Sequence, residues 1–178
     1  MRVISGICRG RKLLEPPGMD VRPTTDQVKE ALFNIVQFDI EGRRVLDLFA
    51  GTGQLGIEAL SRGAAECVFV DSSRLSLRLV EENLRRCDLR GKVMQCDSIG
   101  FLRRGEKFDL IFLDPPYGTG LDVQAMQAVK EFDILAKGGI MVCETRADAE
   151  LPELGADYGS VRTYRYGRIK LTLIARGV

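Results

Sequence analysis

Short apolar runs and longer amphipathic stretches alternate along most of this chain. The clearest pair comes early: residues 45–49 are mostly apolar, which is typical of a strand buried on both faces of a parallel sheet. Residues 55–60 then repeat apolar positions at helical spacing, and Gly63 predicts the end of that helix. Three glycines connect the two elements in the spacing G-x-G-x-x-G, namely Gly51, Gly53 and Gly56. This is the order of a nucleotide-binding βα unit, in which glycines let backbone N–H groups approach a ligand at a helix N-terminus.

The same alternation continues to the end of the chain and predicts a doubly wound α/β sheet with ligands at the carboxyl ends of its strands. Further strands are predicted at 67–70, 92–96, 108–113 and 140–145, and further helices at 24–36, 73–87 and 121–136. Residues 161–166 and 169–175 predict a closing antiparallel hairpin, and residues 1–17 a smaller hairpin ahead of the main fold. Thr24 and Gln27 have the spacing of a capping box at the start of the first helix.

Composition excludes several classes of protein. No apolar run approaches the 18 residues of a membrane span, and the first residues lack the apolar region of a signal peptide, so we predict a cytoplasmic protein. Histidine is absent and the five cysteines include no C-x-x-C pair. This excludes zinc fingers and histidine-based triads, and we expect reduced thiols and no metal. Cys143 lies in an apolar run, where a buried strand cysteine is expected rather than a nucleophile.

The net charge is only +1, but basic residues are concentrated at both ends of the chain. The first 22 residues have a net charge of +3 and the last 21 a net charge of +5, whereas the residues between them have a net charge of −7. This distribution favours contact between the ends and a polyanion, with Arg9, Arg11 and Lys12 as the best candidates. Solvated charged strands have the same composition, and charge alone does not decide between these interpretations.

Aspartates lie at or near the carboxyl ends of the first four strands of the predicted sheet. Because such ends meet at one edge, we expect four carboxyl groups to converge there: Asp47, Asp71, Asp97 and Asp114. Asp71 follows Gly51 by twenty residues, the distance at which an acid binds ribose hydroxyls, and Asp97 suits an adenine amino group. Four acids at one edge repel one another, so this edge favours a ligand that supplies hydrogen-bond donors.

Asp47 narrows the choice of ligand because it lies inside the first strand, four residues before the glycine turn. A carboxylate there would repel the pyrophosphate of a dinucleotide, whereas a ligand with an ammonium group tolerates it. S-adenosylmethionine has both an ammonium and a carboxylate group. The alternative interpretation of Asp47 is a buried acid held by backbone N–H groups.

The turn Asp114-Pro115-Pro116-Tyr117 is the sharpest chemical signal in the chain. Both prolines fix φ and lack an N–H donor, so the turn presents only acceptors, the Asp114 carboxylate and the Pro115 carbonyl. Two adjacent acceptors can bind both hydrogens of an exocyclic amine on a nucleobase and direct its lone pair at a methyl sulfonium. Tyr117 can stack on the base, a contact worth about 1–3 kcal/mol. The alternative is a proline turn that only ends a strand.

Together these motifs resemble those of known methyltransferases. D-L-F-A-G-T-G at 47–53 followed by D-P-P-Y at 114–117 is similar to the Rossmann-like amino-methyltransferases that use S-adenosylmethionine. R-G-R-K-L at 9–13 and R-P-T-T-D-Q-V-K-E-A-L-F-N at 22–34 narrow the resemblance to the bacterial 16S ribosomal RNA guanine-N2 methyltransferases. It covers nearly the whole chain and implies a Rossmann-like class I methyltransferase fold. We expect one domain over 1–178, with a basic hairpin extension at 1–22 and a catalytic core at 23–178.

The resemblance also implies a reaction, methyl transfer from S-adenosylmethionine to N2 of a specific guanine in 16S ribosomal RNA. The cofactor-binding residues would be Asp47, Gly51, Thr52, Gly53, Asp71, Ser72, Asp97 and Ser98. Arg22, Thr24 and Thr25 would close over the methionine end of the cofactor, and the catalytic residues Asp114, Pro115, Pro116 and Tyr117 would hold the guanine amino group. The partner would be ribosomal RNA or the small ribosomal subunit, bound by a monomer that needs no membrane.

Other classes share some of these features. A DNA adenine or cytosine amino-methyltransferase would use the same proline turn, but 178 residues leave little chain for reading a DNA groove. An NAD-dependent oxidoreductase would fit the glycine turn and leave the proline turn unexplained. An RNA-binding module without catalysis would fit the basic ends and leave the four acids unexplained. Calorimetry with S-adenosylmethionine and with NAD separates the methyltransferases from the oxidoreductase and the RNA-binding module.

Overall fold

The computed structural model describes residues 1–16 and 26–178, and within these ranges seven strands form one sheet. Along the chain they are β1 (Arg44–Leu48), β2 (Glu66–Asp71), β3 (Lys92–Gln95), β4 (Phe108–Leu113), β5 (Leu135–Arg146), β6 (Ser160–Tyr166) and β7 (Ile169–Ala175). Their order in the sheet is β3-β2-β1-β4-β5-β7-β6. The first five pair in parallel, and β7 pairs antiparallel with both β5 and β6. The predicted doubly wound sheet with a closing antiparallel hairpin is confirmed.

Helices cover both faces of this sheet. They are α1 (Asp26–Ile35), α2 (Gln54–Ser61), α3 (Arg74–Arg86), α4 (Ser98–Leu102) and α5 (Leu121–Glu131), with a short 3-10 helix at Ala156–Tyr158. The first three pack on one face, where the rings of Phe33 in α1 and Phe112 in β4 lie 5.5 Å apart. The last two pack on the other face with Ile111 and Met141. Alternate residues of the central strands therefore enter two different cores, which is why their sequences are apolar throughout.

The boundary between α5 and β5 differs from the sequence prediction of a helix at 121–136 and a strand at 140–145. The helix ends at Glu131, and Asp133 has a left-handed backbone with φ 55°. Leu135 then already pairs with Phe108, ahead of an irregularity in the register of β4 and β5. Gly138, with φ 70°, lies in that irregular stretch instead of ending the helix. The short α4 at Ser98–Leu102 was also not predicted.

The predicted N-terminal hairpin is confirmed. Its two arms run antiparallel and share few backbone hydrogen bonds. Arg2 and Lys12 form an isolated antiparallel bridge, and the Val3 N–H donates to the Arg11 carbonyl at 2.9 Å. The predicted boundary at residues 22 and 23, the capping box at Thr24, and the cofactor residues Arg22, Thr24 and Thr25 lie outside the described residues.

Buried polar side chains of the helices hold this hairpin. The Glu58 carboxylate on α2 accepts the N–H groups of Ile4 and Ser5 at 2.8 and 2.9 Å and pairs with the buried ammonium of Lys29 at 3.6 Å. Asn83 on α3 accepts the Leu14 N–H at 2.7 Å. Backbone groups that would otherwise be orphaned are thereby paired with the core, so the hairpin has a defined position beside the main fold. No helix in the described ranges is long and apolar enough to cross a membrane.

Candidate active site

A cavity of about 500 Å³ opens at the carboxyl ends of β1, β2, β3 and β4. The sheet order reverses between β1 and β4, and doubly wound folds bind ligands at such a point. The four predicted acids all line the cavity: Asp47, Asp71, Asp97 and Asp114. Gly51, Thr52, Ser72 and Ser98 also line it, whereas Gly53 is not among its lining residues. The expected convergence of carboxyl groups at one edge is therefore confirmed.

The glycine turn has the geometry that its sequence predicts but uses its N–H groups differently. Gly51 and Gly53 have φ of 56° and 77°, a region where a side chain is strained. A Cβ on Gly56 would lie 2.3 Å from the Phe69 ring, so this glycine permits close packing of α2 on β2. The N–H groups of all three donate within the protein, to Asp71, Ala50 and Asp47 respectively, instead of pointing at a ligand as expected.

Asp47 is both a cavity residue and the partner of a helix N-terminus. Its side chain is 2% exposed, and Oδ2 accepts the Gly56 N–H in the first turn of α2 at 2.9 Å. Burial, together with the nearby Asp71 charge, raises the pKa of Asp47 to about 7 against the opposing effect of the Gly56 hydrogen bond. Asp47 is thus held by a backbone N–H group, as the alternative interpretation predicted. Its carboxyl group also lines the cavity, where it can contact a cationic ligand.

Gln54 is a cavity residue that the sequence analysis missed. It is the first residue of α2, and its Oε1 is buried without a hydrogen-bond partner among the described residues. An unpaired buried acceptor is unfavourable by about 1–3 kcal/mol, which a ligand with a donor can recover. Its position directly after the glycine turn is the sequence signal that could have indicated it.

Asp71 and Asp97 each bind backbone as well as face the cavity. Asp71 accepts the Gly51 N–H with Oδ2 at 2.9 Å and the Ser73 N–H with Oδ1 at 2.8 Å. Asp97 is the N-cap of α4 and accepts the Gly100 N–H at 2.7 Å. These bonds fix both carboxyl groups at the mouth of the cavity.

The proline turn follows β4 directly, and all four of its residues line the cavity. Pro115 is buried, and Tyr117 is 41% exposed. The Tyr117 hydroxyl donates to Oε1 of Glu144 at 3.0 Å. Glu144 lies on β5, is 4% exposed and also lines the cavity, although the sequence analysis did not select it. It is an acid near the carboxyl end of an apolar strand, the same pattern that identified the four aspartates.

The basic residues at the ends of the chain fall into two groups. Arg9, Arg11 and Lys12 are exposed on the N-terminal hairpin, as a contact with a polyanion requires. Of the C-terminal cations, Lys170 donates to the Ala149 carbonyl and Arg176 to the Leu135 carbonyl, so these two serve the fold. The other three are exposed, namely Arg162, Arg165 and Arg168. Arg146 and Arg168 line a second cavity next to Tyr117, where Arg146 pairs with Asp148 at 2.9 Å.

Thiols and metal ligands add nothing to this site in the described ranges. The five cysteines form no disulfide, and Cys143 is fully buried as predicted. Burial raises the pKa of the Cys143 thiol above the range in which it would be a nucleophile, with Asp122 and Asp114 contributing. Residues 1–16 and 26–178 hold no group of three or more Cys, Asp or Glu side chains arranged for a metal ion.

Comparison with known proteins agrees with this geometry. The family model described as Conserved hypothetical protein 95 matches residues 1–175. Ribosomal RNA small subunit methyltransferase D of Escherichia coli (strain K12) is 33% identical over 99% of this chain and 90% of its own. The chain belongs to this methyltransferase family.

Solved structures related to the family have the same architecture. The Escherichia coli protein yhhF superimposes with a TM-score of 0.89 at 33% identity, over 99% of this chain and 98% of its own. A 16S rRNA N2 G1207 methyltransferase of T. thermophilus, solved in complex with AdoMet and guanosine, superimposes with a TM-score of 0.71 at 25% identity. That match covers 90% of this chain and 44% of the other. The fold is therefore the Rossmann-like methyltransferase fold predicted from the motifs.

Proposed function

We propose that this methyltransferase transfers a methyl group from S-adenosylmethionine to the exocyclic N2 amine of a specific guanine in 16S ribosomal RNA. The observation that supports the proposal most is the position of the acceptor-only turn at Asp114 and Pro115 on the wall of the acid-lined cavity. The cavity is within the range of volumes that bind small cofactors. Relatives of this chain are named as methyltransferases of the small-subunit ribosomal RNA, and one solved neighbour holds AdoMet and guanosine.

The cavity fits S-adenosylmethionine in its chemistry. The orphaned Gln54 Oε1 and the Asp47 carboxyl are acceptors for an ammonium group. Asp71 and Asp97 are acceptors for ribose hydroxyls and an adenine amine, and Val70, Leu79 and Leu55 provide apolar wall for a purine ring. Thr52, Ser72 and Ser98 add polar atoms to the same wall. Arg22, Thr24 and Thr25 are proposed to cover the methionine end.

The cofactor supplies an electrophilic methyl group on a sulfonium. The chain supplies the orientation of the amine: the Asp114 carboxylate and the Pro115 carbonyl accept its two hydrogens. This holds the nitrogen lone pair away from conjugation with the base and toward the methyl group. Two fixed acceptors, preorganised by proline, also stabilise the positive charge that develops on nitrogen, and the Asp114 carboxylate receives the proton that the product releases. Tyr117 stacks on the base with its exposed ring.

The basic hairpin is proposed to bind the RNA. Arg9, Arg11 and Lys12 are exposed on a segment that Glu58, Lys29 and Asn83 fix to the core, and Met1 and Glu15 of the same segment line the cofactor cavity. Phosphate contacts there would place the RNA next to the entrance of the site. The proposal includes a single domain that acts as a monomer in the cytoplasm, on free or assembled ribosomal RNA.

The competing functions predict other reactions. A DNA amino-methyltransferase would use the same turn on adenine or cytosine, and an NAD-dependent oxidoreductase would need a pyrophosphate next to the buried Asp47. The test is transfer of labelled methyl groups to total ribosomal RNA, to small subunits and to DNA, followed by mass spectrometry of the nucleosides. We expect N2-methylguanosine from the ribosomal substrates. N6-methyladenine or N4-methylcytosine in DNA, or calorimetric binding of NAD but not of S-adenosylmethionine, would contradict the proposal.

A further inference from the structure

We infer that Glu144 selects guanine by accepting the hydrogen of its N1–H group, next to the amine that the proline turn holds. The inference rests on the proposed function, because it assumes that an exocyclic amine is bound at Asp114 and Pro115. It assigns a specificity-determining role to a residue outside the motif and on another strand.

The sheet brings Glu144 beside the proline turn. Leu113 and Cys143 are register partners on β4 and β5, so the residues that follow them, Asp114 and Glu144, begin at the same level of two adjacent strands. Parallel strands are about 4.8 Å apart, so two carboxyl groups at this level can contact adjacent atoms of one base. Both residues line the same cavity, and Tyr117 of the turn is bonded to Glu144 at 3.0 Å.

The three bases with exocyclic amines differ at the ring atom beside the amine. In guanine the N2 amine is flanked by N1–H, a donor, on its Watson–Crick side and by N3, an acceptor, on the other side. In adenine the amine is flanked by N1, and in cytosine by N3, and both of these are acceptors with a lone pair. A carboxyl oxygen at this place therefore accepts a hydrogen bond from guanine, whereas it would face a lone pair in adenine or cytosine.

Tyr117 gives this acceptor a fixed orientation. Glu144 is 4% exposed, so water cannot readily replace a missing partner, and its Oε1 already accepts the Tyr117 hydroxyl. A mismatched base leaves a buried polar group without its hydrogen bond, which reduces the favourable binding free energy far more than a mismatch in a hydrophobic pocket does. Such a site can discriminate between bases by about 10⁴-fold. The same tyrosine thus stacks on the base and positions the group that selects it.

The test compares guanine with 2-aminopurine, which has the same C2 amine but has a lone pair at N1 and no oxygen at C6, so the change of the base ratio in a Glu144 variant is what isolates the N1 contact. The substrate is the 16S RNA, free or assembled, that accepts methyl groups in the experiment above, with either base at the methylated position. For the unchanged protein we expect kcat/KM for 2-aminopurine to be at least about 100-fold lower than for guanine. In Glu144→Gln the amide oxygen accepts from Tyr117, so the amide N–H₂ faces the base instead of an acceptor. We therefore expect kcat/KM for guanine to fall at least about tenfold, and the ratio of kcat/KM for guanine to that for 2-aminopurine to fall to about threefold or less.

Controls separate selection from folding. Affinity for S-adenosylmethionine, measured by calorimetry, should be the same in Glu144→Gln and the unchanged protein, and the exposed Glu131→Gln on α5 should leave the base ratio unaltered. Tyr117→Phe keeps the ring but removes the donor to Glu144, so we expect a base ratio between those of the unchanged protein and Glu144→Gln. This variant tests the site even if Glu144→Gln folds poorly. Methylation of guanine N2 with the same base ratio in all of these variants would overturn the role of Glu144 and leave the proposed function standing. A product other than N2-methylguanosine would overturn both.

Discussion

Asp114 is the residue on which the proposed methyl transfer depends most directly. Asp114→Ala removes one of the two proposed acceptors of the amine but leaves Asp71 and Asp97, the proposed cofactor acids, in place on the cavity wall. We expect methyl transfer to fall by at least about a hundredfold, the usual effect of losing one preorganised polar group. Calorimetry should show nearly unchanged affinity for S-adenosylmethionine. Turnover close to that of the unchanged protein would rule out this mechanism.

The ionisation of Asp47 should make the affinity for S-adenosylmethionine depend on pH. Its pKa of about 7 in the folded chain means that it must lose a proton before it can pair with an ammonium group. Affinity for S-adenosylmethionine should therefore rise with pH by up to about tenfold per unit below pH 7 and level off above it. Measurements from pH 5.5 to 7.5 avoid the loss of the ligand's own ammonium proton at about pH 8. Asp47→Asn should bind weakly with little dependence on pH, and a slope that persists in this variant would assign the titration to another group.

The same raised pKa has a consequence for stability with the opposite sign. Between pH 3.8, the ordinary pKa of an aspartate, and about pH 7, the unfolded chain releases the Asp47 proton while the folded chain keeps it. The contribution of Asp47 to the free energy of unfolding should thus be largest below pH 4 and decrease as pH rises to 7. Denaturation of Asp47→Asn at several pH values, compared with the unchanged protein, isolates this contribution.

At the scale of secondary-structure elements, the contact of α2 with β2 depends on Gly56. A Cβ there would lie 2.3 Å from Cε1 of Phe69 and 2.6 Å from Sγ of Cys67, both in a packed core. Gly56→Ala should lower the free energy of unfolding by about 1–3 kcal/mol, the cost of overpacking, despite the better helix propensity of alanine. Chemical denaturation measures the change. Gly177→Ala is the matched control, because the atom nearest to a Cβ added there would lie at 3.7 Å. If Gly56→Ala were as stable as this control, α2 would be free to shift and accommodate the added methyl group.

At the scale of the whole molecule, the positive charge of the N-terminal hairpin and the net negative charge of the middle of the chain predict that RNA binds to the hairpin. Replacing Arg9, Arg11 and Lys12 with alanine should weaken RNA binding and reduce the slope of log affinity against log salt by roughly two to three units, because each phosphate contact contributes about 0.7–0.9. Affinity for S-adenosylmethionine should not change. Filter binding over a range of salt concentrations gives the slope.

A control triple variant removes the same charge elsewhere. Arg103, Lys130 and Lys137 are exposed near the amino ends of β4 and β5, at the opposite edge of the sheet from the cavity. Their replacement with alanine should leave the slope unaltered. Equal slopes in the two triple variants would mean that the hairpin cations are only solvated and that the RNA binds elsewhere.

Local sequence was sufficient for the strands, the glycine turn and the four aspartates at the sheet edge. A strand buried on both faces is apolar along its length, a tight turn needs glycine where φ is positive, and parallel strands bring their carboxyl ends together in any doubly wound order. These rules involve neighbours in the chain, so they can be applied without coordinates. The proline turn was equally evident, because its chemistry lies in four consecutive residues.

Tertiary structure alone decided the contacts between distant segments. The bond between Tyr117 and Glu144 depends on the register of β4 and β5, and the fixing of the hairpin by Glu58 spans more than fifty residues. The partners of the glycine N–H groups and the orphaned oxygen of Gln54 likewise follow from how α2 packs on the sheet. Hydrogen bonds of this kind form between groups that meet only after the chain has folded, and no local periodicity encodes which groups will meet.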